Sequence, residues 1–361
     1  MSSPTFPKLS DKERACMLAL PDGPVRLIID TDTKNEIDDQ FALAWALLSP
    51  DRLQIEAVYA EPFSSEFRRE AMIETYELIQ AEKPVPPLLD RYIALLNGLV
   101  GPGEHPKDLL YDGPDIGMEL SYQEILTVYE KLRLDPEGLV FRGSERYLTS
   151  FDDPVESPAA LDLVERAMKA GDEPLYVSAI GCVTNVASAI LMEPEIIRKI
   201  VVIWTAGYPS TVDLINYSFN MEQDMLSSQL LFESGVPLVY LPGHHVGAQL
   251  RMSLPELETW VRGRGAIGDF LYSLYVDNPG YKKRGITDHF GRSWVMWDLI
   301  NFAWLIDPRW VPSEMVRTPK LGNDKVWHRD PGYPWRMREG YGVNRDAIMR
   351  DFLEKLKKAP A

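Results

Sequence analysis

Short apolar runs alternate with longer amphipathic segments along most of the 361-residue chain. An apolar run bounded by turn residues is typical of a buried strand, whereas helical periodicity is typical of a helix that covers a sheet. We predict strands at residues 25–29, 53–60, 84–89, 174–180, 200–206 and 237–241. We predict helices at residues 41–48, 66–80, 120–134, 158–170, 183–192, 221–234 and 344–358. This alternation predicts an α/β fold with a mainly parallel central sheet flanked by helices.

Three segments interrupt the alternation. Residues 97–117 are rich in Gly and Pro and are predicted to form a long surface loop, without a domain boundary. Residues 255–303 are predicted to be largely helical, with an interruption near 263–268, and residues 324–342 to be irregular. We therefore expect a single domain over residues 25–361, preceded by an N-terminal arm over residues 1–24.

Composition narrows the class of protein. The net charge is −16 and no basic run is longer than residues 282–284, which argues against a nucleic-acid partner or a polyanionic substrate. No apolar run has the length of a membrane span, and we expect neither a membrane association nor a secretion signal. With only Cys16 and Cys182, a disulfide framework is excluded and a cytoplasmic location is expected.

Five acidic residues follow the first predicted strand: Asp30, Asp32, Glu36, Asp38 and Asp39. Ligands of open parallel sheets bind beyond the carboxyl ends of the strands, which is where this cluster would lie. Carboxylates held close together repel one another unless a cation lies between them. Oxygen-only ligands favour Ca²⁺ or Mg²⁺ and argue against zinc. An acidic helix start would stabilise a helix by only about 0.3–1 kcal/mol per residue and would not explain Asp30 and Asp32.

The same segment, DTDTKNEIDD at residues 30–39, resembles the opening motif of the inosine-uridine preferring nucleoside hydrolase family, Asp-x-Asp-Pro-Gly-x-Asp-Asp. Its loop is two residues longer and lacks the Pro-Gly pair. Further similar segments follow in the family's order: AIGCVTN at 179–185, the strand at 200–207, FNM at 219–221 with Asp224, and WDL at 297–299. Several motifs in one order are more specific than any single motif.

The resemblance implies a nucleoside hydrolase-like fold and a metal-dependent hydrolase, a glycosidase. This enzyme would cleave the N-glycosidic bond of ribonucleosides or related N-ribosides, releasing base and ribose for purine or pyrimidine salvage. Asp32 would bind the metal and act as the base that activates water. The other implied metal ligands are Asp39, Asp298 and the main-chain carbonyl of Ile180. The implied cofactor is Ca²⁺, with Mg²⁺ as the alternative.

The resemblance also implies residues that bind the substrate. Asp38 and Asn220 would hold the sugar, and Asn35 and Asn216 are further candidate substrate ligands. The partner is a small nucleoside or N-riboside. A symmetric homodimer or homotetramer is expected on general grounds.

Three positions depart from the family's pattern. Ser218 replaces a Glu that contacts the sugar, and Glu61 begins a segment that lacks the usual Gly-Asn. Trp297 replaces a His thought to help the leaving base depart, and an indole cannot supply a proton at neutral pH. Its ring can stack on a base, or it can simply be part of the core. His244 and His245 are alternative proton donors, although each can equally be structural.

Two alternatives remain open at the level of sequence. Asp30-Thr31-Asp32-Thr33 matches the Asp-x-Asp-x-Thr signature of haloacid dehalogenase-type phosphatases, in which Asp30 would be the nucleophile, Asp32 the acid and Mg²⁺ the cofactor. The late acidic pair of that class is missing, because the pair at 172–173 comes too early. The second alternative is a non-catalytic nucleoside- or sugar-binding homologue, which the departures at Trp297 and Ser218 motivate.

Overall fold

The computed structural model describes residues 5–101, 103–169, 171, 173–283 and 286–360. The strands are β1 Val25–Thr31, β2 Leu53–Ala60, β3 Val140–Arg142, β4 Leu175–Ala179, β5 Ile200–Ala206, β6 Leu238–Pro242, β7 Arg251–Ser253, β8 Ser293–Val295, β9 Ser313–Arg317, β10 Lys320–Leu321, β11 Trp327–His328 and β12 Arg336–Gly340. The α-helices are α1 Asp11–Met17, α2 Asp38–Leu47, α3 Arg69–Gln80, α4 Asp90–Leu99, α5 Pro114–Leu132, α6 Pro158–Lys169, α7 Thr184–Met192, α8 Phe219–Glu222, α9 Met225–Glu233, α10 Leu254–Trp260, α11 Gly265–Val276, α12 Pro279–Lys283, α13 Leu299–Ile306 and α14 Arg345–Leu356.

Eight strands form the central sheet in the order β3-β2-β1-β4-β5-β6-β12-β9. Every neighbouring pair is parallel except β12 and β9. The chain runs from β1 to β2 and β3 on one side, and then returns to β4 on the other side of β1. The strand order therefore reverses between β1 and β4, and such a switch point leaves a crevice at the carboxyl ends of the strands.

Helices cover both faces of this sheet, which confirms the predicted α/β fold. Side chains of β1 alternate between two cores: Leu27 and Ile29 pack with α2 and α13, whereas Ile28 packs with α6 and α7. Strands that are buried on both faces have continuous apolar sequences. For this reason β5, with the sequence IVVIWTA, is almost wholly apolar, and β1 has an apolar centre at residues 27–29.

Two predicted regions differ from the structure in their type of element. Residues 84–89 do not form a strand; a 3-10 helix at Pro87–Leu89 leads into α4. Pro86 and Pro87 lack the N–H groups that a sheet requires, and a proline is favoured at a helix start. Because α4 extends to Leu99 and α5 begins at Pro114, the loop predicted at 97–117 is also shorter.

The prediction that residues 324–342 are irregular was also wrong. It contains β12, which pairs in parallel with β6 and belongs to the main sheet. Its sequence, RMREG, carries three charged residues: Arg336 is exposed, Arg338 is partly buried, and Glu339 is buried and accepts from the Ser210 amide. The helix predicted at 221–234 is interrupted at Asp224, whose side chain caps α9 through the Ser227 amide.

Residues 5–24 of the predicted arm pack on the domain. Leu18 is fully buried in the core that also contains α2. The guanidinium of Arg14 donates to the Gly235 carbonyl at 2.7 Å and lies 5.1 Å from the Trp335 ring centre. Residues 1–4 of the predicted arm lie outside the described residues. Within the described part of the chain, no helix has both the length and the apolar character needed to span a bilayer.

Candidate active site

The acidic segment lies at the switch point, between the end of β1 and the first turn of α2. Asp38 and Asp39 begin α2, where the helix N-terminus favours negative charge. The Thr31 hydroxyl, at the end of β1, donates to Asp39 Oδ1 at 2.6 Å. Strand and helix thus fix the direction of this carboxylate.

Asp298 completes a compact cluster from the far end of the sequence. It lies at the start of α13, next to Asp38 and Asp39, and oxygen atoms of the three carboxylates lie within 4.8 Å of one another. All three residues are at most 4% exposed. This all-oxygen set matches the ligands that Ca²⁺ and Mg²⁺ prefer. The predicted metal ligands Asp39 and Asp298 are therefore brought together, and Asp38, predicted to hold the sugar, joins them.

The buried carboxyl groups of this cluster must be neutralised, either by protons or by a cation. Burial, reinforced by Asp38 and Glu36, raises the pKa of Asp32 to about 8. Burial and Asp39 raise the pKa of Asp38 to about 7. Burial first and neighbouring carboxylates second also raise the pKa values of Asp39 and Asp298 well above the usual range. A divalent cation would remove both the repulsion and the cost of desolvation, so these residues fit a metal site.

Asp32 lies beside this cluster and is held by amide groups. Asn35 Nδ2 donates to Asp32 Oδ2 at 3.0 Å, and the nearby Gln223 amide also favours the ionised carboxylate. Gly181, after β4, passes close to both Asp32 and Glu61, and a Cβ atom at this position would clash with both carboxyl groups. Only a glycine allows the two acids to approach the turn after β4 so closely.

A second acid pair, Asp30 and Glu61, lies behind Asp32. Asp30 is fully buried and accepts a hydrogen bond from Asn185 Nδ2 at 2.8 Å. Burial raises its pKa to about 7, and burial together with Asp30 raises the pKa of Glu61 well above the usual range. Among the described residues, no N–H group donates to either Glu61 oxygen. A proton held between the two carboxyl groups would satisfy both.

Sequence reasoning noted Glu61 only as a departure from a motif. Its position directly after β2 was the available signal, because it lies at the same edge of the sheet as Asp30. Glu124 of α5 was missed altogether. It accepts from Lys34 Nζ at 3.1 Å and from Gln40 Nε2 at 3.0 Å. Lys34 has a φ of 93° in the lengthened loop, so this contact holds a strained backbone.

The carboxyl ends of β4 and β5 supply neutral groups. Asn220 Nδ2 donates to the carbonyls of Ile180 at 2.9 Å and Thr205 at 3.0 Å. The Ile180 amide donates to the Asp30 carbonyl at 2.9 Å, which places Ile180 next to the acidic segment. Asn216 is fully buried: its side chain accepts from the Tyr208 amide at 2.7 Å and donates to the Lys325 carbonyl at 3.0 Å. The Asn216 side chain thus links the segment at Tyr208 to the segment at Lys325.

Trp297 is partly buried and contacts an aromatic wall. Its ring lies edge-on to His244, with centres 5.7 Å apart, and His244 lies 4.5 Å from Tyr208. Burial, with smaller effects from His245 and Arg91, lowers the pKa of His244. The imidazole is therefore neutral at pH 7, and His244 and Trp297 together form a surface suited to stacking.

Comparison with known proteins shows the family and the fold to which this chain is similar. Residues 27–329 match the family model "Inosine-uridine preferring nucleoside hydrolase". The non-specific ribonucleoside hydrolase RihC of Salmonella enteritidis is 27% identical over 291 residues, which is 79% of each chain. The purine-preferring ribonucleoside hydrolase of Gardnerella vaginalis has a similar fold, with a TM-score of 0.64 and 18% identity over 92% of this chain and 98% of that one.

A further similar fold is that of the type III effector protein XopQ, solved in complex with adenosine diphosphate ribose. It has a TM-score of 0.55 and 14% identity over 98% of this chain and 100% of that one. Because the family match spans most of the sequence and includes the acidic segment at the switch point, this chain belongs to the inosine-uridine preferring nucleoside hydrolase family.

Proposed function

We propose that this N-glycosidase cleaves ribonucleosides at the acidic cluster in a metal-dependent reaction, with Asp32 as the base. The observation that carries the proposal is the convergence of Asp38, Asp39 and Asp298 at the strand-order reversal. Neither alternative from the sequence gains support. In particular, Asp30 is fully buried and bound by Asn185, so it lacks the access that a phosphatase nucleophile requires.

Asp32, Asp39, Asp298 and the Ile180 carbonyl would hold the metal ion, and Ca²⁺ is the proposed ion, with Mg²⁺ as the alternative. A bound divalent ion lowers the pKa of a coordinated water molecule. The Asp32 carboxylate would take the proton of the attacking water, and the Asn35 amide keeps it oriented. Asp38 and Asn220 would hold the ribose hydroxyls, so that binding energy is used for orientation.

Residue 297 cannot protonate the leaving base in this enzyme, so the base must leave by another route. Cleavage passes through an oxocarbenium-like sugar, and the aglycone must leave with the bonding electrons. Trp297 has no acidic proton, and the lowered pKa of His244 leaves few protonated imidazoles at pH 7. We infer that the enzyme prefers aglycones that leave readily, such as p-nitrophenol, over purines.

The proposed location, pathway and assembly follow from the proposed nucleoside hydrolase activity. We propose a cytoplasmic enzyme of purine or pyrimidine salvage that assembles as a homodimer or homotetramer. One protein of similar fold is solved with ADP-ribose, a phosphorylated riboside, so the fold itself is compatible with more than neutral nucleosides.

A metal-replete screen tests the function. The protein is incubated with inosine, uridine and p-nitrophenyl riboside, and reducing sugar is measured. Phosphate release from p-nitrophenyl phosphate is followed in parallel. Sugar release supports the hydrolase. Phosphate release alone would favour the phosphatase, and nucleoside binding without either product would favour the non-catalytic binder.

A further inference from the structure

Three cationic side chains lie near one carboxylate beside the candidate site, and two of them form ion pairs with it. We call this group, Arg68, Arg91 and Lys325, the cationic rim. Glu222 is the shared acid, and its side chain is fully buried. It forms ion pairs with Arg91 and with Lys325, the latter at 2.6 Å. Both of its oxygens are therefore already in use.

Arg68 is the member without an acidic partner. Its guanidinium packs against the rings of Phe67 and Phe219, 5.0 and 5.1 Å from their centres, and the two rings contact each other. Its Nε atom is buried without a hydrogen-bond acceptor, and no ion pair joins Arg68 to another described residue. Burial and the nearby Arg91 lower its pKa. Glu222 lies near Arg68, but both of its oxygens are paired with Arg91 and Lys325. Arg68 is therefore a largely buried cation without an ion pair of its own, and an anionic ligand would stabilise it.

Arg142 provides the contrast within the same chain. It also stacks on an aromatic ring, 3.8 Å from the centre of Tyr122. Unlike Arg68, it forms an ion pair with Glu119 at 2.7 Å. The two arginines share the aromatic contact and differ in the carboxylate partner, so Arg142 is the matched control for Arg68.

The cationic rim adjoins the groups assigned to the ribose. Phe219, which contacts Arg68, precedes Asn220 on α8. Gln223, at the end of the same helix, accepts from the Ser64 amide at 3.4 Å and lies near Asp32. The loop after β2 that carries Arg68 is thus joined to α8 beside the acids. Ser218, where the family motif has Glu, adds no negative charge here.

We propose that the cationic rim binds a phosphate group on the ribose, so that the substrate class is a phosphorylated N-riboside such as a nucleoside 5′-monophosphate. This inference rests on the proposed function, because it places the ribose diol at the acidic cluster and leaves the 5′ end for the phosphate. Arginine suits phosphate because its planar guanidinium donates two parallel hydrogen bonds. The overall charge of −16 does not oppose this, since a local excess of cations sets the field at the site.

Calorimetry on the metal-replete protein tests the proposal through binding, independently of turnover. Ribose 5-phosphate, ribose and inorganic phosphate are titrated into the wild-type protein, R68Q, R68K and R142Q. We expect ribose 5-phosphate to bind the wild type at least about tenfold more tightly than ribose or phosphate. R68Q should lose most of this preference, R68K should retain part of it, and R142Q should retain all of it.

The outcomes separate this inference from the proposed function. Equal binding of ribose 5-phosphate and ribose, or an unchanged preference in R68Q, would overturn the phosphate site even if inosine is hydrolysed. Equal binding of inorganic phosphate and ribose 5-phosphate would show an anion site unrelated to the ribose and would also overturn it. The expected preference in a protein that hydrolyses no riboside would support the phosphate site while contradicting the hydrolase. If R68Q does not fold, as judged by circular dichroism, R68K decides the result.

Discussion

The acidic cluster and the cationic rim are neighbouring regions with opposite charges: the cluster lacks a cation, and the rim lacks an anion. In the cluster, Asp38, Asp39 and Asp298 meet, and no ion pair joins them to a cation among the residues that the structure describes. In the rim, Arg68 lies beside Arg91 while Glu222 is already paired. The acids of the cluster lie at the starts of two helices, whereas the cations of the rim come from a 3-10 helix, from α4 and from the turn before β11.

This difference indicates that the two regions have different roles, one in catalysis and one in binding. A carboxylate cluster completed by a metal ion suits chemistry at the sugar, because it can activate water. A cation without an acid suits binding of a group that takes no part in bond cleavage. Loss of the cluster should therefore affect kcat most, and loss of the rim should affect binding most.

The largest expected effect is that of Asp32→Asn. The amide cannot accept the proton of water, and general base catalysis contributes about 10²–10⁴-fold, so kcat/KM for inosine should fall by at least that factor. Steady-state kinetics measures the loss, with circular dichroism as the check on folding. Asp346→Asn, at an exposed helix position, is the matched control and should leave kinetics unchanged. Near-normal kcat in Asp32→Asn would remove Asp32 from the role of base.

Metal removal should abolish activity and lower the melting temperature by several degrees. A ligand that binds only the folded state stabilises it by about 2.7 kcal/mol at 100 times its Kd. Thermal unfolding with EDTA, and then with excess Ca²⁺ or Mg²⁺, measures the shift and identifies the effective ion. Full activity in EDTA would contradict a catalytic metal.

The metal-free protein should lose stability as the pH rises. The pKa values of Asp30 and Asp38 are raised to about 7 and that of Asp32 to about 8. Between about pH 4 and pH 8 the folded protein therefore holds protons that the unfolded chain has released, and its free energy of unfolding falls with increasing pH. Urea unfolding in EDTA across this range measures the effect, which added Ca²⁺ should suppress at pH 8. A rise in stability over the same range would be incompatible with the buried cluster.

Trp297→Ala should have the smallest effect, on KM. Stacking of a base on an aromatic ring contributes about 1–3 kcal/mol, which corresponds to a KM increase of about 5- to 160-fold. Kinetics on inosine and p-nitrophenyl riboside measures it, with Trp260→Ala as the control because Trp260 is 43% exposed and lies on α10. If both KM and kcat stay unchanged, Trp297 belongs to the core and does not line the pocket.

The sheet and the acidic cluster could largely be predicted from the sequence. Strand β5 was predicted at its observed bounds because burial on both faces leaves an uninterrupted apolar run. Asp30 and Asp32 were recognisable because acids follow such a run directly. β12 was missed because its charged sequence does not have the pattern of an interior strand.

The cationic rim could not be predicted from the sequence. Whether Arg68 has an acidic partner depends on Glu222 and Lys325, which are distant in sequence and meet only in the folded chain. Composition gave no sign of the rim, because the net charge of −16 argued only against a nucleic-acid partner or a polyanionic substrate. Overall charge averages over regions whose local charges have opposite signs, and only tertiary structure separates them.

A crystal structure determined with Ca²⁺, using anomalous scattering to locate the ion, tests the central claim most directly. The predicted result is one calcium ion bound by Asp32, Asp39, Asp298 and the Ile180 carbonyl, at the 2.3–2.6 Å typical of calcium–oxygen bonds. Absence of calcium between these groups at saturating concentration, or calcium bound only elsewhere on the protein, would contradict the account.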